Sequence, residues 1–250
     1  MMIDGRKVAY NDDGAGRVVV LLHGWGTNKE NLQALADDLS QNYRAISVDL
    51  PGFGESERPK DDWHVADYAN FVQDFLQRIG VQGVYALVGH SFGGRIIIKG
   101  VTGGTLRAQK LVFIGSAGVG HSKSVRNMTF AVAAKVGKTV MKLPGLRGRY
   151  AAARQKLHEQ AGSTDYAAAG DMQQIFLHTI HEDLRGDIKN ITLATLLIWG
   201  SEDTEAPLAD ARYFHENISG SRLKILQGAG HFVHTEQPKK VAKFVQEFLA

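Results

Sequence analysis

The sequence predicts an α/β fold: a mostly parallel central sheet with helices on both faces and a small helical insertion. Three observations predict it. Short apolar runs rich in β-branched residues recur along the chain, the pattern of strands buried on both faces. Segments of helical spacing alternate with them, the order that yields parallel strands joined by crossover helices. Between one such strand and one such helix lies Gly89-His90-Ser91-Phe92-Gly93-Gly94. Gly-x-Ser-x-Gly at that junction is a tight strand-to-helix turn that lifts a serine out of the sheet.

The elements follow in order. Residues 17–22 read as a buried strand, and residues 31–39 place Leu32, Leu35, Ala36 and Leu39 on one helical face. A second strand at 45–49 ends in Pro51-Gly52-Phe53-Gly54, a loop signal. Residues 68–79 carry the helical stripe Phe71, Val72, Phe75, Leu76 and Ile79. Tyr85-Ala86-Leu87-Val88 leads into the Ser91 turn, and a helical pattern beginning at Arg95 leads out. The turn forces Ser91 into a strained backbone, and side-chain bulk two residues before or after it would clash, so Gly89 and Gly93 suit it. Strands are expected at 110–115, 195–200 and 223–226, and an amphipathic helix at 239–249.

The roughly 75 residues between the strands near 113 and 197 break this rhythm and are too long for a loop. They lack strand-like runs and are rich in Ala, Lys, Arg and Gln. Pro144-Gly145 and Ala161-Gly162-Ser163-Thr164-Asp165 divide them into about three helices, the second division ending in residues suited to N-capping. The expected organisation is a core of residues 1–117 and 191–250 with a helical cap at 118–190. Such a cap would cover the sheet's carboxyl edge, where open α/β sheets bind ligands.

Composition narrows the classes. A chain of 250 residues, 44% hydrophobic and 22% charged, fits a soluble globular domain. Without cysteine, disulfides, thiolate metal sites and a cysteine nucleophile are excluded. The N-terminal residues show no signal-peptide stretch, and no run approaches the length of a membrane span, so a cytoplasmic location is expected.

A serine hydroxyl is a weak nucleophile and needs a base in hydrogen-bond reach, itself oriented by an acid. Trp199-Gly200-Ser201-Glu202-Asp203 supplies the acid just past a late strand. Asp203 is the candidate, with Glu202 and Glu205 as neighbouring carboxylates. Gly228-Ala229-Gly230-His231 supplies the base after the last strand, its small residues allowing close approach to Ser91. His234 is expected to face the surface or a cap. The developing oxyanion needs two backbone N–H donors. Phe92 is one candidate and Trp25, in the loop His23-Gly24-Trp25-Gly26, is the other. The side chains of Trp25 and Phe92, with Phe232, are candidates for lining a substrate pocket.

These segments resemble the α/β-hydrolase superfamily across essentially the whole chain. The resemblance rests on Leu22-His23-Gly24-Trp25-Gly26, Asp49-Leu50-Pro51-Gly52-Phe53-Gly54-Glu55-Ser56, the Ser91 turn, the Asp203 turn and Gly230-His231-Phe232. It implies the α/β-hydrolase fold and a serine hydrolase acting on carboxylic esters through an acyl-enzyme, without a cofactor. Serine rather than aspartate at the turn argues against the haloalkane dehalogenase and epoxide hydrolase branches. His23-Gly24-Trp25-Gly26-Thr27-Asn28 and Val48-Asp49-Leu50-Pro51-Gly52-Phe53-Gly54 look like segments of the pimeloyl-acyl carrier protein methyl ester esterases, motifs shared with many carboxylesterases. The carbon–carbon bond hydrolases of aromatic degradation are the other near branch, but typically carry Trp where this chain has Phe232. A cofactor-free perhydrolase or a ligand-binding receptor on the same fold are further alternatives.

The net charge of +3 is unevenly spread. Between Val119 and His158 there are nine basic residues and no acidic one, so the rest of the chain is net acidic. Lys135, Lys138 and Lys142 fall on one helical face. Two readings stand: a solvated outer face, or docking of an anionic partner, either an acidic carrier protein or a lipid surface. No aromatic interleaving or binding motif supports nucleic acid. His178 and His181 have helical spacing but no partner ligands at matching spacing, so no metal is expected.

Overall fold

The computed structural model describes residues 1–120 and 169–250. Most of the expected cap, including Lys135, Lys138 and Lys142, lies outside the described residues. Strands β1 (Met2–Ile3) and β2 (Arg6–Lys7) form a small antiparallel pair. Strands β3 (Tyr10–Asp13), β4 (Val18–Leu22), β5 (Arg44–Val48), β6 (Val84–His90), β7 (Ala108–Ile114), β8 (Ala194–Gly200) and β9 (Arg222–Leu226) form one sheet in the order β3-β5-β4-β6-β7-β8-β9. All neighbours are parallel except β3, which runs antiparallel along β5 at the edge.

Among the described residues the α-helices are α1 (Gln33–Ser40), α2 (Val65–Arg78), α3 (Phe92–Thr102), α4 (Gln173–His181), α5 (Arg185–Ile188), α6 (Leu208–Asn217), α7 (Val233–Glu236) and α8 (Pro238–Leu249). Strand periodicity sends alternate residues to opposite faces, and both faces are covered. In β4, Val18, Val20 and Leu22 enter one core, while Val19 and Leu21 enter the other. Phe71 and Phe75 of α2, Ile96 to Ile98 of α3 and Phe214 of α6 fill the first core. Leu35 and Leu39 of α1 and Val241, Val245 and Phe248 of α8 fill the second. Each such fully buried large apolar side chain contributes roughly 1.5–3 kcal/mol of transfer free energy. The result is a three-layered α/β/α core, as the alternation of runs predicts.

The chain leaves β4 for β5 on one side and returns across it to β6 on the other, so the strand order reverses at β4. The loops after β4 and β6 therefore diverge at one crevice beyond the carboxyl ends, the usual ligand position in such sheets. Among the described residues no helix is long and apolar enough to cross a membrane.

Several boundaries differ from the sequence expectation. Helix α2 begins at Val65, three residues early, because the backbone N–H of His64 donates to Asp67 Oδ2 at 2.8 Å and caps its start. Helix α3 begins at Phe92 rather than Arg95, with Gly93 and Gly94 inside it. Strands β1 to β3 and helix α6 have no counterpart in the sequence reading.

Candidate active site

Ser91 sits between β6 and α3 with φ 48° and ψ −107°, one of two non-glycine residues with positive φ among the described residues. The glycines around it make room for this turn. A Cβ on Gly89 would stand 2.7 Å from the Gly93 carbonyl carbon, and one on Gly93 would stand 2.1 Å from the Leu22 carbonyl oxygen. Neither fits without moving backbone. Ser91 is fixed through its main chain: its N–H donates to Ile114 O at 3.1 Å, and its carbonyl accepts from Ala117 N at 3.2 Å.

Asp203 is buried in the turn after β8. Its Oδ1 accepts the N–H groups of Glu205 at 3.0 Å and Ala206 at 2.8 Å, so the carboxylate is oriented by its own turn. His231 Nδ1 lies 2.9 Å from Asp203 Oδ2 and 3.1 Å from Oδ1. The carboxylate accepts, so the proton is assigned to Nδ1 and Nε2 is left to act as base. The His231 loop reaches this position because Gly200, at the end of β8, has no side chain. A Cβ there would stand 2.2 Å from the carbonyl oxygens of both Ala229 and Gly230. Gly115, just past β7, completes the convergence: its Cβ position is 3.2 Å from Asp203 Oδ2 and 3.4 Å from His231 Nδ1. It directly follows Ile114, which holds Ser91. The structure thus brings Asp203 and His231 together at the sheet edge that carries Ser91.

Trp25 lies in the loop after β4, half-buried. Its ring packs edge-on against Phe53 at 4.9 Å and Phe92 at 5.3 Å, and tilted against Phe176 of α4 at 5.1 Å. Gly24 lets this loop press on the Ser91 turn, since a Cβ there would stand 2.7 Å from His90 Nδ1 and 3.3 Å from Ser91 Cβ. A cavity of about 260 Å³ opens beside the loop, with Trp25, Phe53 and Met172 among its walls. Phe232 is half-buried against the rings of His90 at 5.3 Å and His231 at 5.4 Å.

His234 does not face the surface or a cap, as the sequence reading expected. The short turn of α7 aims it inward, where its Nε2 lies 2.7 Å from Asn31 Oδ1 and its ring 4.4 Å from that of His90. His90 is also buried, and its Nε2–H donates to His231 O at 3.2 Å. Burial holds His90 well below the ordinary imidazole range, reinforced by His234 and His231. Burial, then the field of His231, pushes His234 down to about 4. Two neutral imidazoles, tilted 59° to one another, therefore lie behind His231. His178 stacks on His64 with ring centroids 4.0 Å apart.

One ion cluster escaped the sequence reading. Asp49, fully buried after β5, accepts the Lys29 N–H at 2.7 Å, Lys29 Nζ at 3.2 Å and the Glu55 N–H at 2.9 Å. It ties the loop that carries Trp25 to the loop that carries Phe53. Burial alone would lower Lys29, but the hydrogen bond and the charge of Asp49 outweigh it and raise its pKa above the ordinary value. Lys29→Met leaves a buried carboxylate without its counter-ion and is expected to cost about 3 kcal/mol, lowering Tm by roughly 6–12 °C. Lys29→Met/Asp49→Asn should recover part of that loss; thermal melts of both variants check it, and equal melting would show that the pair is not coupled.

The sequence model of the alpha/beta hydrolase family matches residues 19–244, and the chain belongs to that family. It is similar, at 28% identity over 272 aligned positions, to a 2-hydroxy-6-oxo-2,4-heptadienoate hydrolase of Pseudomonas putida, covering 100% of this chain and 95% of the relative. Among solved structures it resembles a bacterial membrane phospholipase A with a TM-score of 0.77 and 25% identity, over 100% of this chain and 84% of the other. An esterase from Exiguobacterium antarcticum matches with a TM-score of 0.74 and 25% identity, over 99% and 97% of the two chains.

Proposed function

We propose that this protein is a serine hydrolase that cleaves carboxylic esters through an acyl-enzyme. The observation that carries the reading is the buried Asp203 carboxylate on His231 Nδ1, at the sheet edge where Ser91 is held in its strained turn. His231 Nε2 takes the proton of Ser91 Oγ as the oxygen attacks the ester carbonyl. Asp203 keeps the imidazole in the Nδ1–H tautomer and stabilises the imidazolium. The N–H groups of Trp25 and Phe92 donate to the oxyanion, each worth on the order of 3 kcal/mol in the transition state. His231 then protonates the leaving alcohol, and activates the water that releases the acid and restores Ser91. Trp25, Phe92 and Phe232 line the substrate, residues 118–190 cap it, and no cofactor is needed. The likeness to a solved esterase supports this reading.

A carbon–carbon bond hydrolase is the second reading, favoured by the likeness to the 2-hydroxy-6-oxo-2,4-heptadienoate hydrolase. Hydrolysis of p-nitrophenyl esters from acetate to decanoate separates the two. An ester hydrolase is expected to show turnover with a chain-length optimum, abolished in Ser91→Ala. No turnover on esters with turnover of a vinylogous diketone would establish the second reading. The proposal extends to a pimeloyl-acyl carrier protein methyl ester or an anionic lipid as substrate, with its charge docked on the basic segment between Val119 and His158. Charge reversal at Lys135, Lys138 and Lys142 should then slow only the carrier-bound or lipid ester, and equal slowing of p-nitrophenyl acetate would sink the docking idea.

A further inference from the structure

Glu205 stands on the opposite side of His231 from Asp203. Its Oε2 lies 3.4 Å from Nε2, while Asp203 Oδ2 lies 2.9 Å from Nδ1, so the imidazole is held between two carboxylates. The arrangement is built into one turn. Glu205 donates its N–H to Asp203 Oδ1 at 3.0 Å, so the carboxylate that orients the ring also fixes the backbone of the second acid. Nothing in the pairing of Asp203 with His231 requires a second carboxylate on Nε2.

Nε2 is the nitrogen that must receive the Ser91 proton. The neutral ring, with its proton on Nδ1, presents a lone pair there, which a carboxylate oxygen repels. The imidazolium presents an N–H, which a carboxylate accepts in a charge-assisted hydrogen bond. Glu205 therefore favours the form of His231 that cannot act as base. Among the described residues, the ring is also faced by His90 from the end of β6, Phe232 beside it in sequence, His234 of α7 and Asp203 from the turn after β8. His90 and His234 are buried and neutral, and Asp203 acts on the far nitrogen. The Glu205 side chain is 57% exposed, so its influence is screened by solvent and salt.

We propose that Glu205 is a positioning residue that competes with Ser91 for His231 Nε2 and raises the pH at which the ring becomes a base. The proposal rests on the reading of Ser91 and His231 as nucleophile and base. Binding of an ester in the crevice would displace Glu205 from Nε2, coupling substrate entry to release of the base.

The test is the pH dependence of Ser91 labelling by a fluorophosphonate probe and of kcat/KM for p-nitrophenyl acetate, between pH 5.5 and 8.5. Wild type, Glu205→Gln and Glu205→Asp are compared, with and without 0.5 M salt. Glu205→Gln is expected to move the midpoint of the acid limb down by about 0.5–1 pH unit, a roughly three- to tenfold gain in relative rate on that limb. Glu205→Asp should fall between the two, and salt should move wild type toward Glu205→Gln. A purely structural role would change plateau height or Tm but not the midpoint. Coincident midpoints with labelling intact would overturn the proposal. If wild type neither labels nor turns over, the hydrolase reading fails instead. Nitrogen-15 NMR titration of the His231 ring, assigned with His231→Gln, then tests Glu205 alone: an unchanged midpoint in Glu205→Gln overturns it.

Discussion

Ser91→Ala is expected to lower ester hydrolysis by about four to six orders of magnitude, leaving only what oxyanion stabilisation and binding supply. Ser91→Gly should be equally inactive, yet the two variants should part in stability. Ser91 holds φ 48° and ψ −107°, a region where a side chain costs about 1–3 kcal/mol, and alanine keeps that cost. Glycine removes it and loses about 0.5–1 kcal/mol in backbone entropy. Ser91→Gly is therefore expected to melt roughly 2–8 °C above Ser91→Ala, a net gain of about 1–2 kcal/mol. Turnover near wild type in Ser91→Ala would remove the serine from the chemistry. Equal melting of the two variants would show that the turn stores no strain.

Much of the architecture was legible because strands buried on both faces must be apolar at every position. Val18 to Leu22 and Leu196 to Trp199 read as strands for that reason. Ser91, Asp203 and His231 were legible as candidates because each follows a strand with glycine beside it, and glycine there marks the places where backbone crosses backbone. What escaped lacks such a pattern. Strand β3 is Tyr-Asn-Asp-Asp, polar because it is an edge paired only with β5. Helix α6 buries only Asp210, Ala211 and Phe214, too few to make a stripe. The early start of α3 was hidden because Gly93 and Gly94 are poor helix formers, placed there by contact with Leu22 and Ser116. The Lys29–Asp49 pair joins residues 20 apart, and charge alone reads as surface. The inward turn of His234 depends on Asn31, over 200 positions away, which no local spacing reports.

Buried histidines carry the second large effect: stability is expected to fall steeply as the pH drops from 6.5 toward 4. His23 shows why a proton has no place. Its Nε2 accepts the Leu50 N–H at 3.0 Å and its Nδ1–H donates to Gly24 O at 2.8 Å, so a second ring proton would point at another N–H. Burial lowers His23 to about 4 against the pull of the Gly24 carbonyl and Asp49, and burial with the charge of His231 lowers His234 to about 4. His90 is lowered in the same direction. The folded-state values lie below the unfolded value near 6.5, so between pH 6.5 and 4 the unfolded chain binds more protons. Stability is full above that window and is lost as pH falls through it. His23 and His234 together give a limiting slope of about 2.7 kcal/mol per pH unit, or roughly 4 kcal/mol by pH 5, a large part of the stability of an ordinary domain. Urea midpoints at pH 7, 6 and 5 measure this slope. His234→Gln keeps a donor toward Asn31 but cannot titrate, and should reduce the slope by about one proton, or about 1.4 kcal/mol per pH unit. An undiminished slope in that variant would show that His234 does not hold back a proton in the folded state, and would place the acid sensitivity with His23 and His90.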